Sequence, residues 1–400
     1  MKKVNIFILV ILLLTAGCGG NRQSGNDDLI TVDVTKSYPK KELILQDFMD
    51  VEYIALETGG EFYCQGLVQA IGKNIIIVKN QVRDGDIFIF DRNGKGLRKI
   101  NRMGRSGEEY SDINGIILDE ENGEIFVRDF TKINVYDLYG LFKRRFRIEN
   151  EVRYSIKYNF DKENMICDNA PDRASFSYLD AVREVTHQPS FVITSKQDGS
   201  IINNVQISYE QKKPAFISLV ENNYARNRII SYSSIIPYHD NWILTEPSSD
   251  TVFRFLPDFS MIPFIVRTPS IQSMNPEVFL FPSILTDHYY FMQTVKKEFD
   301  FATWTGLPQT NLVYDRHEKA MFEYSVYNDD YLDKIPVDMN QATINNEIAF
   351  WQKIEADELV EDYEKGVLKG KLKEIAAKLK EEDNPVIMLV KHKKWSNLKI

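Results

Sequence analysis

The chain has 400 residues, of which 58 are acidic and 49 basic, giving a formal charge of -9 at pH 7. That balance argues against a nucleic-acid partner, because affinity for a phosphate backbone comes mainly from lysine and arginine neutralising it. Five scattered histidines without HExxH spacing, and three cysteines without a CxxC or Cys/His cluster, argue against a structural zinc site; no cofactor is expected.

The amino terminus, MKKVNIFILVILLLTAG at 1–17, carries two lysines and then an unbroken apolar run from Ile6 to Leu14. This is the layout of a secretory signal, and the run is too short to span a bilayer. It ends in LTAGC, where small Ala16 and Gly17 let a peptidase approach the bond before Cys18, a thiol placed to receive a diacylglycerol. The pattern resembles a bacterial lipoprotein signal, departing from it at Thr15, where leucine is usual. Cys18 is the expected lipidation site, and the expected partner is a membrane, reached through acyl chains in place of a transmembrane helix. The alternative is a plain signal peptide with an incidental cysteine. Residues 18–35 read as a flexible tether, since GGNRQSGNDD is almost devoid of apolar side chains. The expected location is the cell envelope at the outer membrane, with the periplasmic and surface faces both open. With Cys18 consumed, Cys64 and Cys167 form either one bridge or two separate buried thiols, the second being favoured.

Residues 36–400 read as one repetitive domain. IFIFDRNGKGLRKI (87–100) is echoed by INVYDLYGLFKRRF (133–146), with Phe90-Asp91 and Gly94 matching Tyr136-Asp137 and Gly140 at a separation of 46. That period suits a four-stranded propeller blade. In each copy apolar side chains alternate toward a neighbouring sheet, and a D-x-x-G turn lets aspartate bond its own backbone while glycine takes positive φ. Hairpin-like pieces at 70–80 and 116–130 precede them, giving four strands per unit. The rhythm continues at 191–207, 241–266, 287–295 and 311–326. Counting VEYIALET (51–58) with the first unit gives six blades, with seven as the alternative; an insertion such as 151–190 belongs to loops.

Between the two clear repeats, RMGRSGEEY (102–110) looks like a phosphate-gripping loop. Glu108 and Glu109 after Gly107 would repel phosphate, and no helix follows, so the stretch reads as an inter-blade connection. Gly104 and Gly107 are expected to take unusual backbone angles, and Tyr110 to pack beneath the next sheet. From Ala356 to Lys380 the pattern becomes helical, with Leu368, Leu372, Ile375 and Leu379 on one stripe, and VIMLVK (386–391) reads as a closing strand. This lysine-rich helix could lie on anionic lipid; packing its stripe on the propeller is favoured, because the strand after it needs a sheet to join. The fold class is therefore all-β: a six-bladed β-propeller of four-stranded antiparallel blades with a C-terminal helix and a closing strand that completes the blade begun by the amino-terminal segment.

The stretch 90–129, FDRNGKGLRKINRMGRSGEEYSDINGIILDEENGEIFVRD, with YDLYG close behind, resembles the six-bladed β-propeller lipoproteins of Bacteroidetes, which are similar to NHL-repeat and TolB-like propellers. Glu109-Tyr110 fits the family's turn, which usually contains a proline absent here; SSDTVFRF (248–255) and EEDNPVIMLVK (381–391) resemble its later blade and closing strand. The resemblance implies the fold and an envelope location and points to no activity.

Candidate site residues are few. His239-Asp240 and Asp287-His288 sit beside strands and could line the ring's axis; Trp304, in a loop with Phe301, could stack on a sugar or grip a partner. No G-x-S-x-G elbow presents a nucleophilic serine. The expected function is a lipid-anchored binding or interaction module for an unknown protein or glycan ligand. The alternative is a metal-dependent lactonase or lyase whose calcium or zinc site lies on the propeller axis.

Overall fold

The structure, a computed structural model, describes residues 29–129, 132–147, 155–168, 189–221 and 224–393. The signal segment 1–17, Cys18 and the tether as far as residue 28 lie outside the described residues, as does most of 151–190, whose described stretch 155–168 is not loop but the strands Ser155–Asn159 and Asn164–Asp168. Six antiparallel sheets follow one another as the blades of a propeller. From inner to outer strand, blade 1 is Leu67–Ile71, Ile75–Lys79, Asp86–Asp91 and Gly96–Asn101. Blade 2 is Gly115–Asp119, Glu124–Asp129, Lys132–Asp137 and Phe142–Phe146, and blade 3 is Ser155–Asn159, Asn164–Asp168, Phe191–Ser195 and Ile201–Val205. Blade 4 is Ile235–Tyr238, Asn241–Leu244, Thr251–Phe255 and Met261–Thr268; blade 5 is Val278–Leu285, Tyr289–Lys296, Gln309–Asp315 and Ala320–Asn328.

Blade 6 is assembled from distant parts of the chain: Ile348–Ile354, Val386–His392 and, outermost, Met49–Ala55. The last pairing runs from Met49 opposite His392 to Ala55 opposite Val386. The amino-terminal strand therefore belongs to the closing blade and not to the first unit, and the carboxy-terminal strand is clamped on both sides. The inner position of this blade is taken by the irregular segment 337–347. Its Thr343 hydroxyl donates to the Ser283 carbonyl of blade 5, and its Asn345 amide to the Ile71 carbonyl of blade 1.

Two short strands precede the blades, the first of them inside the stretch expected to be tether. Ile30–Asp33 pairs in parallel with Met261–Thr268 of blade 4, and Lys40–Ile44 pairs in parallel with Ala320–Asn328 of blade 5. The tether thus ends before Ile30 instead of at 35, because Ile30 and Val32 are buried against blade 4.

The turn chemistry follows the sequence closely. Asp91 Oδ1 accepts the Asn93 and Lys95 N–H groups and Gly94 has φ 85°; Asp137 Oδ1 accepts those of Tyr139 and Leu141 and Gly140 has φ 82°. Middle strands depart from simple alternation. Ile76, Ile77, Phe88 and Ile89 are all buried, because each blade is covered on both faces by its neighbours. Ile75, Ile77 and Ile89 meet Ile116, Leu118 and Ile125 between blades 1 and 2, and comparable clusters fill the other seams.

The stretch 102–110 turns a corner, as its glutamates require. Tyr110 is fully buried, donates its hydroxyl proton to the Gly85 carbonyl at 2.7 Å, and packs edge-on to Tyr136. Gly104 does not take positive φ; the Glu109 carboxylate crosses directly over it, so a Cβ there would have to displace that side chain. Gly107 likewise lacks positive φ.

The expected single helix over 356–380 is two helices, Ala356–Glu364 and Gly370–Ala376. Gly366, at φ 71°, ends the first: its N–H donates to Tyr363 and the Val367 N–H to Asp362, the paired bonds of a left-handed helix terminus. Leu368 and Leu372 are buried and Ile375 and Leu379 partly buried against Tyr53, Phe350 and Met388, so the apolar stripe faces the propeller. Cys64, in the connection into blade 1, and Cys167, in blade 3, are free thiols, pushed up by burial to about 11 and about 12 respectively.

Candidate binding face

Successive strands run in opposite directions, so the turns after inner strands and the loops after second strands lie at opposite ends of each blade. The two ends differ sharply. One carries tight turns such as 72–74, 120–123, 239–240 and 286–288; the other carries the long connections 206–234, 269–277, 297–308 and 355–385. Long surface loops on a rigid scaffold are where binding residues concentrate.

Two of these loops meet. Phe216–Glu221 and Tyr224–Ile229 form a two-stranded hairpin between blades 3 and 4, and the 297–308 loop of blade 5 contains a second small hairpin, Phe299–Asp300 with Thr305–Gly306. Cross-strand partners share a face, so Ile217 with Arg228 and Leu219 with Arg226 point the same way. Ile217 joins Phe299 in one apolar cluster with Phe279 and Phe281, which fixes both hairpins to blade 5. The arginines complete the contact: the Arg228 guanidinium lies 5.6 Å from the Phe299 ring centroid and that of Arg226 lies 5.7 Å from Phe301.

Trp304 closes the group. Its ring sits edge-on to Phe299 at 5.5 Å and to Phe301 at 5.9 Å, and 55% of the residue is exposed. Its backbone is left-handed, φ 57°, and Leu307 close behind has φ 56°. A tryptophan in that region costs about 1–2 kcal/mol, and such strain persists only where the surroundings impose it. Here Asp300 imposes it, accepting the Ala302 N–H at 2.8 Å and the Thr303 hydroxyl at 2.9 Å. The same bonds hold the Asp300 carboxyl below its ordinary pKa, the Ala302 N–H contributing most.

The other predicted residues lie at the tight-turn end, away from Trp304. His239 and Asp240 form the two-residue turn of blade 4, and Asp287 and His288 lie in the corresponding turn of blade 5. The structure brings His239 and Asp287 together, Nε2 to Oδ1 at 3.2 Å. Asp240 is exposed, while the Asp287 and His288 carbonyls accept bonds from Arg316, at 2.8 and 2.9 Å. His392, at the end of the closing strand, titrates within reach of both His239 and Asp287. These contacts tie blades 4, 5 and 6 together at their tips. Among the described residues, no three His, Cys, Asp or Glu side chains gather as a metal site, and no helix is long and apolar enough to cross a membrane.

Sequence reasoning found Trp304 and Phe301 but missed Phe299, Arg226 and Arg228. The readable signal was LVENNYARNRI, two β-favouring runs about an Asn-Asn turn with arginines at alternate positions.

A six-bladed β-propeller with its long loops on one end, two of them joined in an aromatic and arginine platform, defines the class. The chain belongs to the family described as a domain of unknown function, DUF4934, whose profile matches residues 29–391. Among solved structures it is similar to a candidate exported protein from Bacteroides fragilis NCTC 9343, at 15% identity and a TM-score of 0.56, covering 92% of this chain and 100% of that one. A protein of unknown function from Bacteroides thetaiotaomicron VPI-5482 aligns at 9% identity and TM-score 0.36, over 91% and 75% of the two chains. Virginiamycin B lyase from Staphylococcus aureus aligns at 12% and 0.27, over 66% and 73%. The first likeness bears on the fold alone. No curated protein matches the chain.

Proposed function

We propose that the protein is an envelope binding module, held to a membrane by a lipid on Cys18, which engages its ligand through the long-loop face. The observation that carries this reading is Trp304: a large ring kept exposed, in a left-handed backbone, by a hydrogen-bonded loop. The two edge-on contacts with Phe299 and Phe301 only offset the cost of the left-handed backbone, so folding gains little from the indole, whereas recognition uses its exposed face. The charge-then-apolar start and the LTAGC ending support export and anchoring.

Two measurements test the reading. Trp304→Ala, beside a control Tyr139→Ala at an exposed tight turn of blade 2, is compared with the natural protein on a glycan array and against solubilised envelope. Ligand retained by the control and lost by Trp304→Ala is expected; equal retention by both variants contradicts the assignment of the face. Cys18→Ala is expected to release the protein from membranes, and continued membrane recovery contradicts the anchor.

A further inference from the structure

We propose that the Trp304 platform takes an oligosaccharide bearing carboxylate groups, with the indole stacked on a sugar ring and Arg228 holding the acid. This rests on the reading of the long-loop face as the binding face and adds the class of ligand.

The shape of the platform comes first. Every residue from Ala302 to Gly306 is exposed, so the tip presents a surface and not a pocket. The tip has no pocket of its own, so a protein partner would have to enclose the indole in a pocket on its own side. A pyranose has a flat face of C–H groups, which can cover an exposed indole and remove apolar area from water without being enclosed.

Hydroxyl chemistry comes second. The Thr303 and Thr305 hydroxyls lie 2.8 Å apart, on either side of Trp304, and that of Thr303 is also bonded to Asp300 at 2.9 Å. A hydroxyl has one donor and two acceptor positions, so the Thr305 group keeps capacity for a sugar hydroxyl. Its orientation is set in advance by the loop, which lowers the ordering cost of binding.

Charge decides the class. Arg226 is held by Glu221 at 2.7 Å, whereas Arg228 has no such carboxylate among the described residues and lies over the Phe299 ring. Arg228 is exposed, in a chain of net charge -9. A guanidinium resting on an aromatic face keeps its forked donors for an incoming carboxylate, the geometry in which arginine surpasses lysine.

The test is an array of uronate- and sialate-containing oligosaccharides beside their methyl esters, probed with the full chain in detergent. The natural protein is expected to bind carboxylated probes at least about tenfold more tightly than the esters. Arg228→Gln is expected to abolish that preference, Arg228→Lys to keep part of it, and Trp304→Ala to lose binding, all with unchanged melting curves. Equal binding of acids and esters, or no binding of any carboxylated probe, overturns the ligand class. If another ligand binds and is lost in Trp304→Ala, the binding face stands without this ligand; if Trp304→Ala changes nothing, both fail.

Discussion

The Tyr158 hydroxyl donates to the Thr343 carbonyl at 2.6 Å, joining the inner strand of blade 3 to the inner segment of blade 6 across the ring. Burial pushes the Tyr158 pKa up, so the hydroxyl keeps its proton at neutral pH and the bond stays intact there. Tyr158→Phe removes the donor and leaves a carbonyl unpaired on a residue only 1% exposed. We expect a loss of about 1–2 kcal/mol, read as a lower denaturation midpoint with an unchanged denaturant slope.

Blades 2 and 3 are joined by a buried ion pair. Lys196 Nζ lies 2.7 Å from Asp119 Oδ2, each side chain is 6% exposed, and the lysine also donates to the Asp161 carbonyl. Asp119→Asn strands the ammonium and is expected to cost about 3–5 kcal/mol, whereas Asp119→Leu with Lys196→Met recovers most of it. A double-mutant cycle in chemical denaturation measures the coupling; additive single effects would contradict it.

His392 gives the stability a pH limb. Burial lowers its pKa from 6.5 to about 4, with Asp287 opposing and His239 adding to the shift. The unfolded chain therefore takes up this proton first as pH falls. Its contribution is fully present above about pH 6.5, declines from there, and levels off below about pH 4; the loss by pH 5 is on the order of 2 kcal/mol. His392→Gln is expected to flatten that limb in melts between pH 7 and 4.5.

Trp304 separates stability from recognition. Trp304→Gly relieves about 1–2 kcal/mol of left-handed strain. It also forfeits two edge-on ring contacts of about 0.5–1.5 kcal/mol each. The terms offset, so the melting midpoint should move little while ligand binding is lost. A large destabilisation would mark the ring as a packing residue.

What was legible in the sequence was what local chemistry dictates. Asp91 with Gly94 and Asp137 with Gly140 spell their own turns, and the repeat between them set the blade. The closing strand 386–392 and its pairing with the amino-terminal segment were legible too, whereas the blade 6 strand 348–354 and the irregular inner segment carry no trace of the repeat. Ile30–Asp33 and Lys40–Ile44 were missed because short strands added in parallel to an outer edge carry no repeat of their own. An exposed loop tryptophan is visible in sequence. That Arg226 and Arg228 lie beside its loop depends on two insertions more than seventy positions apart meeting over blade 5.

The most direct measurement of the central claim is hydrogen–deuterium exchange of the full chain with and without bound ligand. We predict slowed exchange concentrated in 216–229 and 297–308, with the turns at 239–240, 256–260 and 286–288 unchanged. Protection confined to those turns, with the two hairpins exchanging as before, would contradict the assignment of the binding face.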